Sequence, residues 1–154
     1  MAASPPLDAT DLRILEQLQQ DASLSNHALA ARAHVSPATC LRRVRRLTES
    51  GVIERTVAIL SPTQLGASLT AILEVTLEQQ TSEWLNSFEN RVASEAAVQQ
   101  CYRVSSGPDF VLIVYVRDMD AYHALAHRLF ANDAHVRNVR TFFSVKRAKF
   151  GTQV

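Results

Sequence analysis

Ser36-Pro37-Ala38-Thr39-Cys40-Leu41-Arg42-Arg43-Val44-Arg45-Arg46-Leu47 opens as a helix and carries four arginines along its body. Ser36 suits the N-cap, where a hydroxyl accepts from a free backbone N–H, and Pro37 suits the first helical position, where no amide donor is needed. At 3.6 residues per turn Cys40, Val44 and Leu47 form one apolar line with Leu41 beside it. Thr39, Arg42, Arg43 and Arg46 recur at i, i+3, i+4, i+7 on another. Arg45 lies away from the centre of that second line, which suits a phosphate contact or packing more than base reading. Gly51 follows the last turn and can take the left-handed conformation that closes a helix.

The basic character is local. Lys plus Arg is 16, Asp plus Glu is 15, and the formal net charge is +1. Clustered charge on a neutral chain implies one docking element and excludes a surface that coats any polyanion. The alternative for this helix alone is a solvated arginine face, and the residues before it argue against that.

Leu7-Asp8-Ala9-Thr10-Asp11 puts an acid at a cap position and another in the first turn of a helix with the apolar stripe Leu12, Ile14, Leu15 and Leu18. Ser25 caps a short second helix that faces inward through Leu29, Ala30 and Ala33. The brief turn Ala33-His34-Val35 leads to the arginine helix. Two short helices joined by a tight turn and backed by a support helix make a helix-turn-helix. Val52 to Leu60 has β-branched residues and partial alternation, so a wing or connecting strand is expected there, giving a winged helix-turn-helix over 1–60.

Ser61-Pro62-Thr63-Gln64-Leu65-Gly66 interrupts both periodicities and is the expected linker, 61–66. A second domain, 67–154, begins with a strand from Ser68 to Leu77, facing inward through Leu69, Ala71, Leu73, Val75 and Leu77. Thr81 opens a helix with Trp84 or Leu85, Phe88 and Val92 on its core stripe. Val98 to Ser105 and Phe110 to Val116 form an antiparallel pair across the turn Ser106-Gly107-Pro108-Asp109. Asp118 caps a helix with Tyr122, Leu125, Ala126, Leu129 and Phe130 inward, and Val136 to Val145 holds the last strand. The order β-α-β-β-α-β is ferredoxin-like, so the chain is of the α+β class. Two helices cover only one face of such a sheet. The apolar residues of Phe110 to Val116 need cover on both sides, which argues for a dimer.

Three passages resemble the family of the leucine-responsive regulatory protein and AsnC, bacterial and archaeal transcription regulators: Leu7 to Asp11 with Ile14-Leu15, the Ser36-Pro37 to Leu47 helix, and Gly51-Val52-Ile53. Val104 to Phe110, followed by Asp118 to Tyr122, resembles the family's effector-binding domain. The family's turn reads glycine, an acid, any residue, aspartate and an aromatic; here Ser106 and Gly107 hold the first two places, while Asp109 and Phe110 keep the last two. The resemblance implies a homodimer built through the second domains and the connecting strand, assembling further into tetramers or octamers, with double-stranded DNA contacting several winged helices. A roughly palindromic site is expected of paired recognition helices.

Candidate DNA contacts are Ser36, Thr39, Arg42, Arg43 and Arg46. Candidate effector contacts are Ser106, Gly107, Pro108 and Asp109, for a small molecule such as an amino acid. A turn with Gly107 can offer backbone N–H groups to a carboxylate, and Asp109 can face an ammonium. The other reading is a plain turn in which Asp109 bonds its own backbone, with Phe110 in the core. The competing function is an enzyme or small-molecule-binding module with a helical protein-interaction head. Such a head would present aromatic or aliphatic anchors, and the arginine line suits phosphates and guanine edges better.

No enzyme chemistry and no cofactor are expected, since neither a glycine-rich phosphate loop nor a catalytic triad is recognisable. Asp120, His123 and His127 at i, i+3, i+7 form the one metal-like pattern, but Tyr122, Leu125 and Ala126 define the buried side and leave them on the rim, so no metal is assigned. His27 and His34 flank the second helix, where phosphate contact or exposure explains them. Cys40 and Cys101 read as isolated thiols in a reducing compartment. Met1 to Leu7 shows no signal peptide, and no apolar run approaches membrane-spanning length, so a cytoplasmic protein is expected.

Overall fold

The computed structural model describes residues 6–131 and 133–154. Most of the Met1 to Leu7 stretch read as lacking a leader lies outside the described residues. The chain divides into two compact units, one running up to Ile59 and taking in Lys149–Val154, the other spanning Leu60–Ala148.

In the first unit the helices are α1 (Ala9–Gln20), α2 (Asn26–Arg32) and α3 (Pro37–Glu49). Each begins on a side-chain cap: Asp8 accepts from Thr10 and Asp11 N–H, Ser25 from Ala28 N–H, and Ser36 from Thr39 N–H. Their core is Ile14, Leu29, Ala30, Ala33, Cys40 and Leu47. Small residues at 30 and 33 let α2 lie close to its neighbours. His34 takes the left-handed conformation (φ 57°) between α2 and α3, and the N–H of Val35 returns to the carbonyl of Ala30 at 3.0 Å, so the tight turn has its backbone bonds. Two long-range bonds fix the angle. Arg13 Nε donates to the Ala33 carbonyl at the end of α2, and Asn26 Nδ2 donates to the Pro37 carbonyl at the start of α3.

Two expectations for this unit are corrected. Leu12 does not face the core; it is 55% exposed, and Asp11, fully buried, takes the inward place with Ile14, Leu15 and Leu18. The stretch from 52 to 60 forms no strand, and Val57, Ile59 and Leu60 are exposed. A β-strand needs a neighbour for its N–H and C=O groups, and none pairs with this stretch among the described residues.

The expected linker holds a short 3-10 turn, Thr63–Leu65, closed by Gly66 at φ 84°, a backbone state that favours glycine. The second unit then runs β1 (Leu69–Leu77), α4 (Ser82–Ala93), β2 (Val98–Arg103), β3 (Phe110–Val116), α5 (Met119–Ala126) and β4 (Val136–Phe143). The sheet order is β2-β3-β1-β4, all antiparallel. This is the ferredoxin-like order, in which the first and third strands lie side by side at the centre. Ala71, Leu73, Val75 and Leu77 of β1 and Phe110, Leu112, Val114 and Val116 of β3 bury one face against Phe88, Val92, Leu125 and Leu129. The rings of Phe88 and Phe110 lie 4.7 Å apart.

Register defines the other face. Ile72 pairs with Ile113 on one side and Phe142 on the other, and Tyr102 pairs with Val111, so these five side chains point the same way. Ile72, Ile113 and Val111 are half-buried, whereas Tyr102 is 53% and Phe142 45% exposed. No helix is long and apolar enough to cross a membrane among the described residues.

Candidate nucleic-acid interface and effector turn

Burial of Cys40 and Leu47 orients α3 and leaves Ala38, Leu41, Arg42, Arg45 and Glu49 exposed. These positions follow i, i+3, i+4, i+7, i+11 and define the outward face. Arg45 Nε bonds Glu49 at 2.9 Å along the helix surface. Arg42 forms none of the ion pairs among the described residues. The structure therefore places Arg42 on the outward face and adds Leu41, which is 61% exposed, and Arg45, both of which lay outside the expected line. Thr39 is half-buried, and its hydroxyl accepts from that of Ser36 at 2.9 Å, so these two residues form the helix start.

Arg43 goes elsewhere. Its Nη1 donates to Asp8 Oδ2 at 2.7 Å and to Asp11 Oδ1 at 2.8 Å, and Nη2 of Arg46 donates to Asp11 Oδ2 at 2.5 Å. Asp8 and Asp11 are also the capping box of α1, with the Asp8 N–H donating to Asp11 Oδ2 at 3.1 Å. The start of α1 and the middle of α3 are thus joined by a cluster of two carboxylates and two guanidiniums. Arg43 is mostly buried, and its Nε has no partner among the described residues, so its placement is set by the acids. Arg46 sits at the edge of the cluster, half-exposed.

The cluster holds both acids charged. The Asp11 N–H, then Arg43, bring the Asp8 carboxyl down to about 2. Burial alone would raise Asp11, but the Asp8 N–H and the guanidiniums of Arg43 and Arg46 outweigh it and hold the carboxyl below its ordinary range. Sequence pattern could not reveal this, because an acid in the first turn of a helix is commonplace on dipole grounds. The clue in the residues is that Asp11 falls on the Ile14, Leu15, Leu18 side.

In the second unit Ser106 and Gly107 form the exposed tip of the β2–β3 turn, and Ser106 adopts φ 64°. Gly107 does not take the left-handed state, and a Cβ there would meet open space. Pro108 is half-buried and Asp109 is 6% exposed. Asp109 bonds backbone, though not its own: Oδ2 accepts from the Leu77 N–H at 2.7 Å, where the β1–β4 register shifts. The Asp109 N–H donates to the Val75 carbonyl at 2.8 Å, and the Asp109 carbonyl accepts from the Val104 N–H at 3.0 Å. The carboxylate thus supplies an acceptor on the β3 side of β1, beyond the last β1–β3 pair, Val75–Phe110. Phe110 is in the core. At the same end of the sheet a cavity of about 130 Å³ is lined by residues including Trp84, Arg91, Asp133 and His135, with Arg91 and Asp133 ion-paired.

Asp120, His123 and His127 are exposed on α5 and its C-terminal cap, where the π-turn from His127 to Ala131 begins. No group of three or more His, Cys, Asp or Glu positioned for a metal occurs among the described residues. Cys40 is buried and Cys101 half-buried; desolvation pushes both thiols up, Glu89 adding to it at Cys101, so neither is a ready nucleophile.

Similarity to known proteins agrees with both halves. The winged helix-turn-helix DNA-binding family matches residues 7–54, and the Lrp/AsnC ligand binding domain family matches residues 70–154. The leucine-responsive regulatory protein of Escherichia coli is 36% identical over 143 residues, covering 93% of this chain and 87% of that protein. Among solved structures, a transcriptional regulator of Neisseria meningitidis in complex with L-Met superposes with a TM-score of 0.90 at 28% identity, covering 97% of this chain and 96% of that one. An AsnC family transcriptional regulator of Agrobacterium tumefaciens gives a TM-score of 0.90 at 32% identity, covering 96% of each chain. These relatives are regulators by name, which points to a non-enzymatic role. A helix-turn-helix exposing arginines, joined to a ferredoxin-like domain that matches as a ligand-binding unit, places this chain in the Lrp/AsnC family of transcriptional regulators.

Proposed function

We propose that the chain acts in the cytoplasm as a homodimer, or a larger assembly of dimers, that inserts paired α3 helices into the major groove of double-stranded DNA, and that an amino acid bound at the 106–109 turn modulates this binding. The observation that carries the DNA reading is the outward face of α3, where Arg42 and Arg45 project with no acid before Glu49. Ser36 and Thr39 lie at the N-terminal end, which a recognition helix points at bases, and Arg46 flanks the face. Arg43 serves as a positioning residue that fixes α3 against α1.

Two observations support self-association. The open sheet face carries Tyr102 and Phe142, and the unpaired stretch around Val57 and Ile59 exposes both apolar side chains and backbone groups. A second copy satisfies both at once.

Arg42→Ala is expected to weaken operator binding by about 1–2 kcal/mol per site with melting unchanged. Fluorescence-anisotropy titrations across a salt series are the test. A dimer neutralising four phosphates through two copies of Arg42 and Arg45 gives a slope of about −3.6 in log affinity against log salt, and Arg45→Ala lowers its magnitude by about 1.8. A flat salt response in the wild type would favour the interaction-head reading.

The effector reading rests on the exposed backbone of Ser106 and Gly107, with Asp109 holding the turn to β1. It also rests on the L-Met complex of the Neisseria meningitidis relative. A binding L-amino acid, supplied at ten times its Kd, is expected to stabilise the protein by ~1.4 kcal/mol in a thermal melt. Because the space beyond Gly107 is open, Gly107→Val leaves the fold intact and obstructs the turn. Methionine, leucine and other L-amino acids are the panel. Equal shifts in both proteins would move the effector away from the turn, with the cavity beside Trp84 and Arg91 the next place to look.

A further inference from the structure

We propose that Leu41 determines specificity by reading the 5-methyl group of a thymine in the major groove. The inference rests on α3 being the DNA-reading helix. Leu41 is 61% exposed at one edge of the outward face, one turn after Ala38 and one turn before Arg45. The other apolar residues in the body of this helix, Cys40, Val44 and Leu47, turn inward to the core of the unit. Leu41 takes no part in that core.

A docked helix desolvates whatever its face presents. The neighbouring arginines Arg42 and Arg45 can satisfy phosphates or guanine edges, but a leucine set against polar base edges would leave their donors and acceptors without water or partner. In the major groove the one apolar feature a base pair offers is the thymine methyl. Leu41 is the fifth residue of α3, within the N-terminal half that helix-turn-helix proteins bring to the bases. Ala38, small and exposed on the same face, leaves room for the base edge to approach. An A·T pair of one orientation is therefore expected under Leu41, and in a symmetric site the same pair recurs in each half-site.

Removing one methyl-sized contact is worth about fourfold in affinity per half-site. The probe is a duplex that the protein itself selects from a random pool, remade with deoxyuridine in place of thymidine at one position at a time, so that only the methyl is lost. Wild type is expected to lose about fourfold at one position per half-site. Leu41→Ala is expected to bind the all-thymine duplex more weakly and to be indifferent to the methyl at that position, with unchanged helicity and melting because the side chain is exposed. A Leu41→Ala protein as sensitive as wild type at every thymine, or a wild type with no sensitive thymine, overturns the proposal. If Arg42→Ala and Arg45→Ala are silent as well, the docking of α3 itself fails; if those two weaken binding and only Leu41 is silent, the methyl contact alone is lost.

Discussion

Arg43→Ala is expected to lower the melting temperature of the helix-turn-helix unit by on the order of 10–15 °C, and to weaken DNA binding only through the loosened seating of α3 on α1. Asp11 is fully buried, and Arg43 is the guanidinium that reaches both it and Asp8. Removing Arg43 leaves the buried Asp11 carboxylate with one guanidinium in place of two. Arg46 and the Asp8 N–H remain, which limits the damage. Replacing both partners by apolar residues, Asp11→Leu with Arg43→Met, leaves no uncompensated buried charge, since Asp8 and Arg46 reach solvent, and should recover most of the melting temperature. Differential scanning fluorimetry on the single and double variants tests this. An Arg43→Ala protein that melts normally yet fails to bind DNA would return Arg43 to the reading face.

The same cluster sets an acid limit. Both carboxyls have folded pKa values below their unfolded ones, so the unfolded chain takes up protons first as pH falls. Their stabilisation is complete above about pH 4 and is lost on descending toward pH 2, where Asp8 titrates in the folded protein. Melting temperatures measured between pH 7 and 2 are expected to fall steeply in that window for wild type. The fall should be shallower for the Asp11→Leu, Arg43→Met double variant.

Asp109→Ala is expected to destabilise the ferredoxin-like unit by about 2–3 kcal/mol, because the buried N–H of Leu77 loses its acceptor. Asp109→Asn keeps an oxygen in place and should cost less than half as much. An effector shift abolished by Asp109→Ala would then be ambiguous, since the turn itself is loosened. Gly107→Val avoids that problem by leaving the Asp109–Leu77 bond alone. Urea unfolding of the two Asp109 variants is the measurement, and equal stability in both and in wild type would free Asp109 to face an ammonium.

Much of the fold was legible in the residues. The caps at Asp8, Ser25, Ser36, Thr81 and Asp118, the small inward residues Ala30 and Ala33, and the alternation along Leu69 to Leu77 and Phe110 to Val116 each act over one turn or one pleat. Local chemistry of that range is written directly in neighbouring side chains. The α3 face was legible only to within about one residue's rotation. Cys40, Val44 and Leu47 gave the inward line, but with Leu41 counted as apolar and Arg43 as charged, each was assigned to the wrong side.

Tertiary structure decided what depends on two distant segments meeting. Arg43 turns inward because Asp8 and Asp11 await it across the helix crossing, and Asp109 turns inward because the Leu77 N–H lies beyond the end of the β1–β3 pairing and needs an acceptor there. The stretch from 52 to 60 has strand chemistry but no strand, since hydrogen-bond ladders belong to pairs of segments and the described chain supplies only one. A side chain's residue type fixes what it can bond; which bond it makes is fixed by the charge or backbone group that folding buries beside it. That is why the sequence by itself determined most of the helices, strands and their order, whereas which arginines are held by buried acids and which face outward came only with the packing of α3 on α1.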